Sequence, residues 1–107
     1  MPGKDNNDLH PLADIDRTIH SPARLMVMTY LYTVESADYI FLQNLTGLTW
    51  GNLSSHLSKL ENEGYIAIEK EIVGKKPHSM VHLTPDGREA FRNYKQSIQQ
   101  VLEDLPE

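Results

Sequence analysis

The stretch that decides the fold is FLQNLTGLTWGNLSSHLSKLENEGYIAIEKEIVGKKPHSMVHLT, residues 41–84. It begins inside a short apolar helix pattern, which Gly47 breaks. Thr49 then offers an N-cap hydroxyl to a second helix, predicted to close with a C-cap glycine at Gly64. A strand pattern, a basic tip at residues 74–77 and a return strand follow. Two helices joined by a tight turn, then a hairpin, predict a helix-turn-helix with a wing and point to duplex DNA.

The second helix has one apolar stripe and one polar face. Leu53, Leu57 and Leu60 recur at i, i+4 and i+7, so they share a buried stripe. The opposite arc is small or polar, and no carboxylate precedes Glu61. Serine and asparagine are poor helix formers, so helix stability does not explain their presence on this face. Their hydrogen-bonding groups suit a helix that enters a major groove, and the alternative is a plain polar surface helix. The residues predicted to contact DNA here are Thr49, Trp50, Gly51, Asn52, Ser54, Ser55, Ser58 and Lys59.

The hairpin supplies a second predicted contact. Isoleucines at period two mark its first strand, and no acidic residue occurs from 72 to 85. Lys75, Lys76 and His78 are predicted to project at the tip, where a basic loop can reach phosphates or a minor groove. The alternative is a solvated turn whose lysines oppose edge pairing.

The run from Leu48 to Ile66, LTWGNLSSHLSKLENEGYI, resembles winged-helix transcriptional regulators of the MarR/ArsR-like superfamily. It is most similar to a small single-domain group with the motif G-N-L-S-x-H-L-x-x-L-E-x-x-G-Y. The resemblance extends to residues 19–25 and 81–88. It implies a dimeric bacterial or archaeal DNA-binding regulator, with repression as the expected role.

Composition limits the possibilities. The 107 residues suit one domain, with a flexible tail at 1–13 and a winged-helix domain at 14–107. No apolar run suits a membrane span or signal peptide, so the expected location is cytoplasmic. Cysteine is absent, which rules out thiolate metal sensing. The net charge of −5 is unlike a generic nucleic-acid binder, but from Tyr39 to Leu60 the only charged residue is Lys59.

Two proline-containing helix starts frame the scaffold. Ser21-Pro22 precedes an apolar helix predicted from Ala23 to about Val34, the central core element. Thr84-Pro85 opens a last helix with apolar residues at 3-4-3-4 spacing, typical of a coiled-coil seam. The alternative is a helix folded back on its own core. The predicted dimer-interface residues are Phe91, Tyr94, Ile98, Val101 and Leu105.

The sequence therefore predicts an α+β fold, a winged helix-turn-helix with a long C-terminal dimerisation helix. The predicted function is sequence-specific binding of double-stranded DNA by a homodimeric regulator. No catalytic constellation, metal site or cofactor motif is found, and a small-molecule effector is possible but not indicated. Two alternatives stay open, an architectural DNA-coating protein and a winged-helix protein-interaction module. Neither the operator nor the regulated genes can be read from these residues.

Overall fold

The structure is a computed structural model that describes residues 13–106. The predicted tail at 1–13 lies outside these residues, apart from Ala13. The α+β arrangement of a helix-turn-helix and a wing is confirmed. Its elements are α1 (Pro22–Leu31), β1 (Ala37–Asp38), α2 (Tyr39–Thr46), α3 (Trp50–Asn62), β2 (Ile66–Val73), β3 (Lys76–Leu83) and α4 (Pro85–Glu103).

Side-chain caps and a glycine fix the turn between α2 and α3. The Asp38 carboxylate accepts from the Ile40 amide at 2.7 Å and begins α2. Gly47 ends α2 with a φ of 70°, a left-handed conformation that glycine adopts without steric cost. The Thr49 hydroxyl then accepts from the Asn52 amide at 3.1 Å and caps α3, as the sequence predicted.

A Schellman motif ends α3. The Tyr65 amide donates to the Leu60 carbonyl at 2.9 Å, and the Gly64 amide donates to the Glu61 carbonyl at the same distance. Glu63 is the C-cap, and Gly64 follows it with a φ of 81°. The predicted C-cap glycine is therefore wrong by one position, because the motif places its left-handed residue just after the cap.

The wing belongs to a three-stranded antiparallel sheet of order β1-β3-β2. The sequence did not predict β1, because a two-residue strand carries no periodicity. The predicted four-residue tip is also wrong, since the loop is Gly74–Lys75 and β3 already begins at Lys76, opposite Val73. Positive φ at Gly74 alone fits a type II′ hairpin turn.

One hydrophobic core joins all these elements. The predicted leucine stripe of α3 is buried, with no residue more than 1% exposed. It belongs to one buried cluster with the buried face of α1, with Leu42 of α2 and with the strand residues Ile66 and Val81. α1 ends at Leu31, before the predicted end at about Val34. Just beyond it, the Thr33 hydroxyl donates to the Tyr30 carbonyl at 2.8 Å.

The start of α4 packs against the end of α3. The Thr84 amide donates to the Tyr65 carbonyl at 3.0 Å, and the Thr84 hydroxyl donates to the Gly64 carbonyl at 2.5 Å. Gly87 is buried here, and a Cβ at this position would overlap the Tyr65 carbonyl oxygen. α4 therefore needs glycine in its first turn. Within residues 13–106, no helix combines the length and apolar character needed to cross a membrane.

Candidate nucleic-acid interface

The outer face of α3 is exposed, narrow and free of acid over most of its length. Gly51, Ser55, Ser58 and Asn62 are all exposed, and their i, i+4, i+7, i+11 spacing places them on one face. This face lies opposite the buried leucines, as predicted. At Gly51 an added Cβ would meet no atom within 4 Å. The fold itself therefore does not require glycine at this exposed helical position.

Aromatic packing shapes the start of α3. Trp50 is 51% exposed, and its ring lies 4.3 Å from the buried ring of Tyr39, centroid to centroid. The Tyr39 hydroxyl is hydrogen-bonded to the Ser54 hydroxyl, which leaves Ser54 only half exposed. Of the predicted contact residues on α3, Ser54 thus faces α2, whereas Thr49, Trp50, Asn52 and Lys59 are exposed.

The wing and the start of α3 share one cleft. Trp50 and Tyr39 form one wall, and Lys76, Pro77 and His78 of β3 form the other, around a volume of about 230 Å³. Two separately predicted contact regions, the helix start and the wing strand, therefore lie side by side. Because the cleft joins them, one ligand surface can contact both.

The wing tip itself is fully exposed. Lys75 and Lys76 are exposed, and Ile72 and Val73 beside them are 71% and 51% exposed. No other part of residues 13–106 buries these two apolar side chains. The tip can therefore present two cations together with apolar surface to a partner.

His78 does not project at the tip as predicted. It lies within β3, opposite Glu71, and its Nδ1 contacts the Asp38 carboxylate, the N-cap of α2. Burial alone would raise the pKa of Asp38, but hydrogen bonds from the Ile40 amide and the His78 ring outweigh it and hold that pKa below its ordinary value. His78 therefore ties the wing to the helix-turn-helix.

His56 is held on the inner side of α3 by a hydrogen bond from α1. Its Nδ1 lies 2.9 Å from an Arg24 guanidinium nitrogen. Since a guanidinium only donates, Nδ1 is the acceptor and carries no proton. Burial first, then the charges of Arg24 and Lys59, lower the pKa of His56. Arg24 thus connects α1 to α3.

The predicted seam of α4 divides into two parts. Phe91 and Tyr94 are buried in the chain's own core, and Ile98 packs against that core. Beyond them Val101 is half-buried, and Leu105 is 60% exposed. Leu105 also lies past the end of α4, because the helix closes at Glu103 before Pro106. The surface left for a partner therefore narrows to the last turn. Leu102, 61% exposed, joins it and was not predicted.

A model of the winged helix DNA-binding domain family matches residues 23–102, three quarters of the chain. The chain belongs to that family. An uncharacterized protein of Methanocaldococcus jannaschii is 30% identical over 89 residues, which is 83% of this chain and 97% of the relative.

Solved structures agree with the family. A transcriptional regulator homologue from Pyrococcus horikoshii OT3 is 29% identical, with a TM-score of 0.82 over 90% of this chain and 99% of its own. An ArsR family transcriptional regulator shares the fold at 18% identity and a TM-score of 0.59, over 91% of this chain and 95% of its own. The predicted resemblance to MarR/ArsR-type regulators is confirmed, and family and fold indicate a DNA-binding regulator.

Proposed function

We propose that this winged helix protein regulates transcription by binding one specific double-stranded DNA sequence as a homodimer, with repression as its effect. α3 lies in the major groove, and the wing lies on the phosphate backbone or in the minor groove. The family membership and the 29% identical regulator homologue support the general activity. The specific claims rest on the residues of this chain.

One observation carries the proposal, the exposed face of α3. Ser55, Ser58 and Asn52 offer hydrogen-bonding groups of the kind that read base edges in a major groove. Gly51 exposes helix backbone although nothing nearby would obstruct a side chain, so close approach of a partner explains its glycine better than the fold does. Protein interfaces, by contrast, favour aromatic and methionine side chains at their centre.

The charge of the chain favours sequence-specific binding over coating. With a net charge of −5, the molecule has a weak general attraction for polyanions. Between Tyr39 and Leu60, however, no acid opposes a phosphate backbone. Affinity must therefore come from a correctly docked surface rather than from overall charge, whereas an architectural protein depends on the latter.

The last turn of α4 and the residues just after it support the homodimer. Leu102 and Leu105 are exposed and Val101 is half-buried, so apolar surface remains there that residues 13–106 do not cover. A two-fold interface would bury the part that remains exposed of six such side chains, where full burial of one exposed side chain is worth about 1.5–3 kcal/mol. Two-fold symmetry would also pair the two α3 helices across one face of a duplex.

The proposal is tested by selecting ligands for the purified protein from a random duplex library and sequencing them. The expected result is one enriched motif of two inverted half-sites, centred about 10–10.5 base pairs or a multiple of this apart. An enriched single half-site would remove the dimer from the proposal. A bound pool with no enriched motif would leave coating as the activity and overturn sequence-specific regulation.

A further inference from the structure

Three cationic side chains from distant parts of the sequence converge at the C-terminal end of α3. Arg17 precedes α1, Arg24 lies in its first turn, and Lys59 lies near the end of α3. Together with Thr18 and Asn62 they line a groove of about 320 Å³, and Glu63 is its one acidic neighbour. This groove, which we call the cationic groove, has no role in the function proposed above.

The guanidinium of Arg24 is fixed in position. Its Nε donates to the Thr18 carbonyl at 2.6 Å, and one terminal nitrogen donates to His56. Thr18 is itself held, because the Asp16 carboxylate accepts from the Thr18 and Ile19 amides at 2.9 and 3.1 Å. A guanidinium has five N–H donors, so Arg24 keeps donors for a ligand after these two bonds. A charge held in this way loses little entropy on binding.

The positive charge of the cationic groove is only partly neutralised by the residues around it. Among residues 13–106, no carboxylate lies within ion-pair distance of Arg17, Arg24 or Lys59. After burial, the charges of Arg24 and Lys59 are what lower the pKa of His56, so their field is felt at the inner side of α3. In a chain of net charge −5, three cations that form no ion pair and share one groove with a single carboxylate, Glu63, indicate an anionic ligand.

The position of the groove identifies that anion. Asn62 lines it and also ends the exposed face that carries Ser55 and Ser58. α3 has 13 residues, so it is about 20 Å long, whereas the major groove is about 12 Å wide. A helix of this length whose axis crosses that groove therefore extends past its edge, where a phosphate strand runs.

We propose that the cationic groove binds a phosphate group, a phosphodiester of the DNA strand that borders the major groove, through Arg17, Arg24 and Lys59. This contact rests on the proposed function, and it adds a second point of backbone contact at the end of α3 remote from the wing. It makes the groove a positioning element that sets how α3 lies along the duplex.

The test is the salt dependence of binding to a random-sequence duplex for Arg17→Gln/Lys59→Gln. Both side chains are exposed, so the variant is expected to fold. Gln96→Glu/Gln99→Glu, at exposed positions of α4, changes the net charge equally and is the control. The slope of log affinity against log salt should become shallower by about 0.9 per subunit for the groove variant only. Equal slopes for the two variants would overturn the DNA contact.

Inorganic phosphate separates the two possible sources of the anion. If free phosphate causes saturable amide shifts at Thr18 and Asn62 that the groove variant loses, while the DNA slope is unchanged, the groove binds a free phosphate instead. If neither the slope nor the amides respond, the whole proposal fails. The salt slope is measured on a random-sequence duplex, so it tests the phosphate contact alone. Sequence-specific binding is tested separately, by the library selection.

Discussion

Two glycines in helices should respond in opposite directions to the same substitution. A Cβ at Gly87 would overlap the Tyr65 carbonyl oxygen and lie 2.8 Å from its carbon, and this carbonyl also accepts from Thr84. Overpacking lowers the free energy of unfolding by about 1–3 kcal/mol, and we expect Gly87→Ala at the upper end because the obstructing atoms are rigid backbone. Replacing glycine by alanine in a helix offsets about 1 kcal/mol of this loss. Gly51→Ala meets open space and receives only the gain.

We expect Gly87→Ala to lower the unfolding midpoint by about 8–16 °C, since about 2 kcal/mol remains and each kcal/mol shifts a domain of this size by about 4–8 °C. Gly51→Ala should raise the midpoint by a few degrees. Thermal and urea unfolding followed by circular dichroism measure both. Gly51→Ala should weaken DNA binding although it stabilises the fold. The added methyl group would lie on the face that packs into the major groove, and we expect it to lower specific affinity by about 5- to 150-fold. A Gly51→Ala protein that is more stable and binds its site as well as the parent would refute close approach at this position, and an unchanged midpoint for Gly87→Ala would refute the packing argument.

Three further predictions follow from the wing, α4 and His56. Lys75→Ala/Lys76→Ala should weaken binding to all duplexes alike and reduce the salt slope by up to about two units per subunit, and an unchanged slope would exclude the wing tip. Val101→Asp/Leu105→Asp should remain folded but give a monomer in light scattering, and a monomeric parent at micromolar concentration would refute the interface. The pKa of His56 is lowered in the folded state, so its contribution to stability is full above its ordinary value of 6.5 and is lost as the pH falls through the folded-state pKa. The urea midpoint of His56→Gln should therefore decrease less on acidification than that of the parent, and parallel pH profiles would contradict this.

The helix-turn-helix could be predicted because its signals are local. Gly47 ends α2, Thr49 caps α3, and the leucines of α3 repeat at a spacing that one helix turn imposes. Each of these signals acts within four residues of chain, so the sequence alone contains it. The same holds for Thr84, whose hydroxyl caps α4 by accepting from the Gly87 amide at 2.9 Å.

The features that were missed depend on contacts between distant residues. β1 exists only because Ala37 pairs with Val81 across the sheet. The inward turn of Ser54 depends on Tyr39, which lies in another helix. The cationic groove brings together cations separated by up to 42 positions, Arg17 and Lys59, and no local pattern records that they meet. The spacing of apolar residues in α4 likewise does not reveal whether each side chain is buried by the chain's own core or by a partner.

The central claim is that the exposed face of α3 reads base sequence, and one ratio tests it most directly. This is the affinity of the protein for its selected duplex divided by the affinity for a scrambled duplex of equal length, at a fixed physiological salt concentration. We expect a ratio of at least about 10³ for the parent. Ser55→Ala/Ser58→Ala should lower the ratio, by an amount equivalent to about 1–3 kcal/mol of discrimination free energy for each lost base contact, and should leave the unfolding midpoint unchanged. The control Gln96→Ala/Gln99→Ala on α4 should not lower the ratio. A parent ratio near one, or a ratio that the serine substitutions leave intact, would contradict base reading by α3.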